Sequence, residues 1–235
     1  MTKYIVSDDH KFVYFVVQKV ACSSIKTALL PFFDIDPAGP KVVVKDGNTR
    51  LRIHELYSQS SYQINKKQLV AKLNDEYRDY FKFAFVRNPW DRLVSLYWDK
   101  FAKNGPGVRL PEHVEVVLYP GMPFAEFVEA VYAIPDRDAN IHFKSQYRTI
   151  CGPGRDKPVM ADFIGRFENL AADFAVVAKG IGSAQELQLP HIIPHKLRSE
   201  SRKSRPPYAD FYNDRLRKLV YKRYQEDIEI FGYSY

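Results

Sequence analysis

Cysteine is scarce in this sequence. The two that occur, Cys22 and Cys151, are too few for the disulfide framework of a small secreted domain. Long apolar runs are missing as well. The most apolar early stretch, Phe12 to Val17, falls far short of the ~20 residues a membrane helix needs. The opening MTKYIVSDDH, Met1 to His10, has no basic flank, apolar h-region or small-residue cleavage site of a secretory signal. These absences predict no membrane span and, as the simplest compartment, a reducing cytoplasm. A soluble piece of a longer protein would read the same. No repeat, low-complexity tract or linker divides the 235 residues, so a single domain, 1–235, is expected.

What is present is a globular composition. Hydrophobic residues make up 46% of the chain and aromatics 14%, which is ample for a core and argues against disorder. The net charge of +7 and a pI near 9.2 favour anionic ligands. Nucleic acid, acidic polysaccharide and a phosphorylated nucleotide all fit that charge, and charge alone does not choose among them.

Hydrophobic patterning points to an α/β fold. Phe12 to Val17 is β-branched and aromatic throughout, as in a strand buried on both faces. After a loop of small residues, Ile25, Ala28, Leu29 and Phe32 mark one face of a helix, so the chain opens a βαβ unit. Val42 to Val44 reads as a loop or edge strand, Leu51 to Leu56 as a strand carrying His54, and Lys66 to Tyr80 as a polar surface helix. Phe81 to Val86 is a second buried strand. Asn88, Pro89 and Asp91 then supply a cap, a first-turn proline and a first-turn acid. Val94, Tyr97, Trp98 and Phe101 mark the buried face of that helix. Residues 103–123 form a surface excursion. Helices are expected at Phe124–Tyr132, Glu168–Ala178 and Tyr208–Gln225, a third strand at Ala161–Ile164, and a basic loop or lid from Leu189 to Pro207.

Two segments carry chemistry. The first is Gln18-Lys19-Val20-Ala21-Cys22-Ser23-Ser24-Ile25-Lys26. A small-residue loop between strand and helix exposes backbone N–H groups to an anion, with hydroxyls from Ser23 and Ser24 and a cation from Lys19. It contains no glycine, so it is not a G-x-x-x-x-G-K-[ST] P-loop. A serine helix cap beside a solvated lysine would give the same letters. The second segment is VRNPWDRLVSLYWDKF, in which Arg87 stands at the carboxyl end of a predicted strand, where open α/β sheets place ligands. Guanidinium is the natural bidentate partner of a phosphate dianion, and Ser95 follows within the same helix. Pairing with Asp91 or Asp99 is the structural alternative, more so for Arg92 than for Arg87.

Together these segments resemble the two nucleotide-binding signatures of sulfotransferases that use 3′-phosphoadenosine 5′-phosphosulfate (PAPS), in the variant of the carbohydrate sulfotransferase group called family 2. QKVACSSIK is similar to the 5′-phosphosulfate loop, and the run from Arg87 through seven residues to Ser95 is similar to the 3′-phosphate motif. NIHFKSQY (140–147) with DFIGRFENL (162–170), and DIEIFGY (227–233), resemble the family's middle and C-terminal segments. The chain departs in having Gln18 where proline is usual and Ser23 where threonine is commoner.

The resemblance implies a mainly parallel sheet flanked by helices, of P-loop-like, nucleotide-kinase-like architecture. It also implies sulfuryl transfer from PAPS to a hydroxyl acceptor, a carbohydrate in this family, leaving 3′-phosphoadenosine 5′-phosphate (PAP). By resemblance Lys19 meets the leaving oxygen. Val20, Ala21, Cys22, Ser23 and Ser24 hold the 5′-phosphate, Arg87 and Ser95 the 3′-phosphate, and Gly165 and Arg166 run along the nucleotide. His54 is the expected general base, because histidine's pKa suits the task. His142 is the rival and, with Gln146, an acceptor contact. No metal is expected. His191 and His195 are separated by proline from any helix that would align them, and protein cations replace magnesium. The competing readings are a kinase-like phosphotransferase, opposed by the missing glycines, and a basic nucleic-acid-binding module, for which no recognised pattern is present.

Overall fold

The computed structural model describes residues 3–36, 38, 42–45, 48–102, 105–182, 187, 189, 190 and 206–235. Its elements are β1 (Lys3–Ser7), β2 (Phe12–Phe15), α1 (Cys22–Ala28), β3 (Val42–Lys45), β4 (Asn48–Leu51), α2 (Arg52–Gln59), β5 (Gln63–Asn65), α3 (Lys66–Lys72) and β6 (Phe81–Val86). There follow α4 (Pro89–Lys100), α5 (Phe124–Ala133), α6 (Tyr147–Ile150), β7 (Phe163–Arg166), α7 (Leu170–Gly180), α8 (Asp214–Arg223) and α9 (Gln225–Phe231). The chain divides into two compact units, 1–86 with 149–197, and 87–148 with 198–235.

The first unit is built on a five-stranded sheet of order β5-β1-β2-β6-β7. β2, β6 and β7 are mutually parallel, while β1 pairs antiparallel with both β2 and β5. All strands except β1 therefore point the same way, and the expected mainly parallel α/β sheet is present. β2 and β6 lie at its centre, which is why their sequences are apolar without alternation. Phe12, Tyr14, Phe83 and Phe85 are fully buried there. Helix α3 packs on β1 and α7 on β7. β3 and β4 form a separate antiparallel pair.

The second unit is helical. Trp90, Leu93 and Leu96 of α4 share a core with Phe127 and Val131 of α5 and with Leu216 and Val220 of α8. Asn88 caps α4 as expected, accepting from the Trp90 N–H at 3.0 Å, and its amide donates to the Ser234 carbonyl at 2.8 Å.

Several expected boundaries move. Leu51 to Leu56 is not a strand: β4 ends at Leu51 and Arg52–Gln59 is helix α2. The reason is spacing, since Ile53 and Tyr57 are the buried pair and lie four apart on one helical face. The helix expected over Lys66–Tyr80 stops at Lys72. Asn74 and Asp75 favour turns, and the Arg78 guanidinium fixes that turn by donating to the Asn74 carbonyl at 3.0 and 3.1 Å. Tyr208–Gln225 is interrupted because Asn213 caps a fresh helix, accepting from the Leu216 N–H at 2.9 Å. The third strand lies at Phe163–Arg166, two residues later than expected. Most of the basic stretch read from Leu189 to Pro207, with His191 and His195, is outside the described residues.

Candidate active site

The loop from Gln18 to Ala21 leaves β2 and delivers the chain into α1 with unusual backbone geometry. Lys19 has φ 69° and Ala21 φ 64°, both in the left-handed region that costs an L-residue about 1–2 kcal/mol. Glycine would occupy these positions freely. The loop thus makes with side-chain-bearing residues turns that glycine makes freely, and strain of this kind collects at ligand clamps. Ala21 also starts α1 without a side-chain cap. The Cys22 thiol donates to the Gln18 carboxamide oxygen at 3.4 Å, and both cysteines are buried and outside any disulfide.

His54 reaches α1, directly after this loop, carried there by α2 rather than by a strand end. Its Nε2 is 2.9 Å from Ser23 Oγ and its Nδ1 is 3.5 Å from Lys26 Nζ. Lys26 is one turn beyond Ser23 and almost fully buried. Its ammonium sits 5.6 Å from the centroid of the Tyr57 ring, and the Tyr57 hydroxyl donates to the Lys26 carbonyl at 2.9 Å. Burial lowers the Lys26 pKa, while Cys22 opposes and Lys3 adds to that shift. The protonation of Lys26 bears on the imidazole tautomer. Charged, it can only donate, so Nδ1 accepts and Nε2 carries the hydrogen given to Ser23; neutral, it lets the roles reverse.

In the second unit, Arg87 follows directly on the last residue of β6. Its Nε and Nη2 both reach Asp91 Oδ2 at 2.7 Å, so the pairing alternative holds for Arg87. Arg92, for which that pairing was the stronger expectation, is buried and donates to the His142 and Lys144 carbonyls at 3.3 and 2.9 Å. Ser95 lies buried on α4, the helix that also carries Asp91 and Arg92. His142 Nδ1 is 2.7 Å from the Asn140 side-chain oxygen, which places the hydrogen on Nδ1 and leaves Nε2 the basic nitrogen.

Gln146 is fully buried, and its carboxamide is engaged on both sides. Oε1 accepts from the Arg87 N–H at 3.0 Å and Nε2 donates to the Arg87 carbonyl at 2.9 Å. Its side chain grips Arg87 rather than facing an acceptor. Gly165 lies across β6 and β7 from Phe85, and a Cβ there would come within 2.4 Å of the Phe85 ring, so packing alone explains this glycine. The Arg166 N–H donates to Asp173 at 2.6 Å.

Of the residues singled out from sequence, the structure joins Ser23 with His54 in one unit and Arg87 with Gln146 in the other. Sequence reasoning passed over Lys26 and Tyr57, although the 22–28 helical spacing places Lys26 one turn from Ser23. It also passed over Asp227, whose carboxylate organises Gln146 and Tyr147. Among the described residues no group of three or more His, Cys, Asp or Glu is placed to hold a metal ion, and no helix is long and apolar enough to cross a membrane.

Comparison with known proteins adds the family. The Sulfotransferase family model matches residues 2–234. Carbohydrate sulfotransferase 11 of Danio rerio is 23% identical over 253 residues, covering 98% of this chain and 66% of that protein. Carbohydrate sulfotransferase 12 of Xenopus laevis is 25% identical over 264 residues, covering 97% and 59%. Carbohydrate sulfotransferase 10 of Rattus norvegicus is 27% identical over 257 residues, covering all of this chain and 67% of the relative. The chain thus spans about 59–67% of the length of these relatives. No solved structure gives a significant match. The chain belongs to the Sulfotransferase family.

Proposed function

We propose that this member of the Sulfotransferase family transfers the sulfuryl group of PAPS to a hydroxyl of a carbohydrate, releasing PAP. The observation that carries the reading is the glycine-free loop in which Lys19 and Ala21 are left-handed, followed at once by Ser23 of α1 with His54 bonded to it. The names of the relatives support a saccharide acceptor, and the net charge of +7 suits an anionic one. The family match runs through both compact units, which supports reading residues 1–235 as one sulfotransferase domain.

In the reaction, the acceptor oxygen attacks sulfur while the bond from sulfur to the bridging oxygen breaks, and that oxygen leaves with the 5′-phosphate of PAP. The two oxygens must lie in line, and charge building on the leaving oxygen must be met by a cation. Lys19 meets it. The backbone from Val20 to Ser24 and the Ser23 hydroxyl hold the 5′-phosphate, Arg87 and Ser95 hold the 3′-phosphate, and Arg166 lies along the nucleotide. The acceptor's proton passes to a histidine, a step worth about 10²–10⁴-fold. His54 takes that place in the tautomer that leaves Nε2 basic beside Ser23, the one open to it when Lys26 is neutral. His142 is the second candidate, favoured by the hydrogen bond that leaves its Nε2 basic, and otherwise an acceptor contact.

The test is transfer of ³⁵S from labelled PAPS to a panel of sulfated and unsulfated oligosaccharides, with γ-labelled ATP as the control donor. Wild type should label at least one saccharide from PAPS and none from ATP. Lys19→Ala should lose about 10²–10³-fold in turnover, as for removal of one transition-state donor. Full activity in Lys19→Ala would overturn the mechanism. Label arriving from ATP instead would establish the kinase-like alternative.

A further inference from the structure

The C-terminal motif opens with a buried acid that the reading above leaves without a task. Asp227, in α9, is fully buried. Its Oδ2 accepts the Gln146 N–H at 2.8 Å and its Oδ1 the Tyr147 N–H at 2.8 Å. Gln146 in turn holds both backbone polar groups of Arg87, at 3.0 and 2.9 Å. Arg92 grips the preceding carbonyls of the same segment, at His142 and Lys144. The segment 142–147 is therefore fixed from two sides, amides by Asp227 and carbonyls by Arg92, and the side chain it presents is spent on Arg87.

We propose that Asp227 is a positioning residue for recognition of the 3′-phosphate: through Gln146 it sets the backbone from which the Arg87 guanidinium projects. This rests on the reading that Arg87 binds that phosphate. The energetics favour a directing role over packing. Burying a carboxylate is costly, and an apolar side chain of like volume would fill α9's inner face at less cost. Desolvation pushes the Asp227 pKa up to about 6, against the pull of Arg92 and of the two backbone N–H groups. Arg87 needs such support because its guanidinium is already drawn to Asp91 by two contacts of 2.7 Å. A bidentate grip on phosphate depends on where that pair is held.

The experiment is calorimetric titration of PAP and of adenosine 5′-phosphate, which lacks only the 3′-phosphate, into wild type, Asp227→Asn, Gln146→Met and Arg87→Ala. Wild type should prefer PAP, and Arg87→Ala should abolish that preference. Asp227→Asn and Gln146→Met should each cut the preference about tenfold, the scale of one hydrogen bond to a charged group, with affinity for adenosine 5′-phosphate held within about twofold. Should Asp227→Asn not fold, Gln146→Met decides. Equal weakening of both nucleotides would make Asp227 merely structural and overturn the inference, as would an unchanged preference in Gln146→Met. If wild type itself does not prefer PAP, the sulfotransferase reading fails instead.

Discussion

Lys19 and Ala21 carry side chains in backbone conformations where glycine is at ease, and strain of this kind is expected to trade stability for a fixed arrangement of N–H groups. Ala21→Gly should relieve about 1 kcal/mol and raise the melting temperature by roughly 2–4 °C for a chain of this size. A lower melting temperature would show that the loop is not strained at that residue. Next to it, the tautomer of His54 is tied to Lys26 by the 3.5 Å contact. With Lys26 charged, the ¹⁵N spectrum should show the hydrogen on His54 Nε2, and Lys26→Met should move it toward Nδ1. An unchanged spectrum in Lys26→Met would uncouple the two residues. The sequence placed a histidine after an early strand and nominated it for catalysis, and the structure brings it to Ser23. What could not be read was the lysine behind it, since Lys26 resembles any exposed helical lysine until α2 packs across it.

Among the elements, those with local chemical signatures were legible and those decided by packing were not. The Asn-Pro-x-Asp start of α4 and the apolar strands β2 and β6 were read from neighbours in sequence, because caps and central-strand burial leave local marks. α2 was misread because Ile53 and Tyr57 are its only buried residues, and one such pair in a short polar run gives periodicity little to act on. Gly165 was assigned to the nucleotide, yet it lies where β7 crowds Phe85. Gly165→Ala should destabilise the fold by about 1–3 kcal/mol, the range for overpacking a core, read as a lower denaturation midpoint at unchanged slope. A neutral substitution would return this glycine to the list of candidate ligand contacts. In the second unit, Gln146 was read as an acceptor contact because nothing in the sequence shows that its carboxamide closes on Arg87 from 59 positions away.

For the molecule as a whole, the buried acid in α9 predicts a pH dependence of stability. Asp227's folded pKa of about 6 lies above the unfolded value of 3.8. The folded state therefore holds this proton more tightly, and the stabilising contribution is full below about 3.8 and lost as pH rises to about 6. Asp136 works in the opposite direction, its pKa lowered by Arg223, the Ser145 N–H and Arg148 against the effect of burial, so wild type is best compared with Asp227→Asn. Between pH 7 and pH 4 the melting temperature of wild type should rise relative to that variant; a constant difference would contradict the raised pKa.

If the two signatures recognise a 3′-phosphorylated nucleotide, thermal-shift titration with PAP beside ADP and ATP will show it. At about 100 times its dissociation constant a ligand adds roughly 2.7 kcal/mol, a rise on the order of 5–10 °C in a domain of this size. Wild type should show that rise with PAP alone, and Arg87→Ala should lose it. Equal stabilisation by ADP or ATP, or none by PAP, would contradict recognition of the 3′-phosphate.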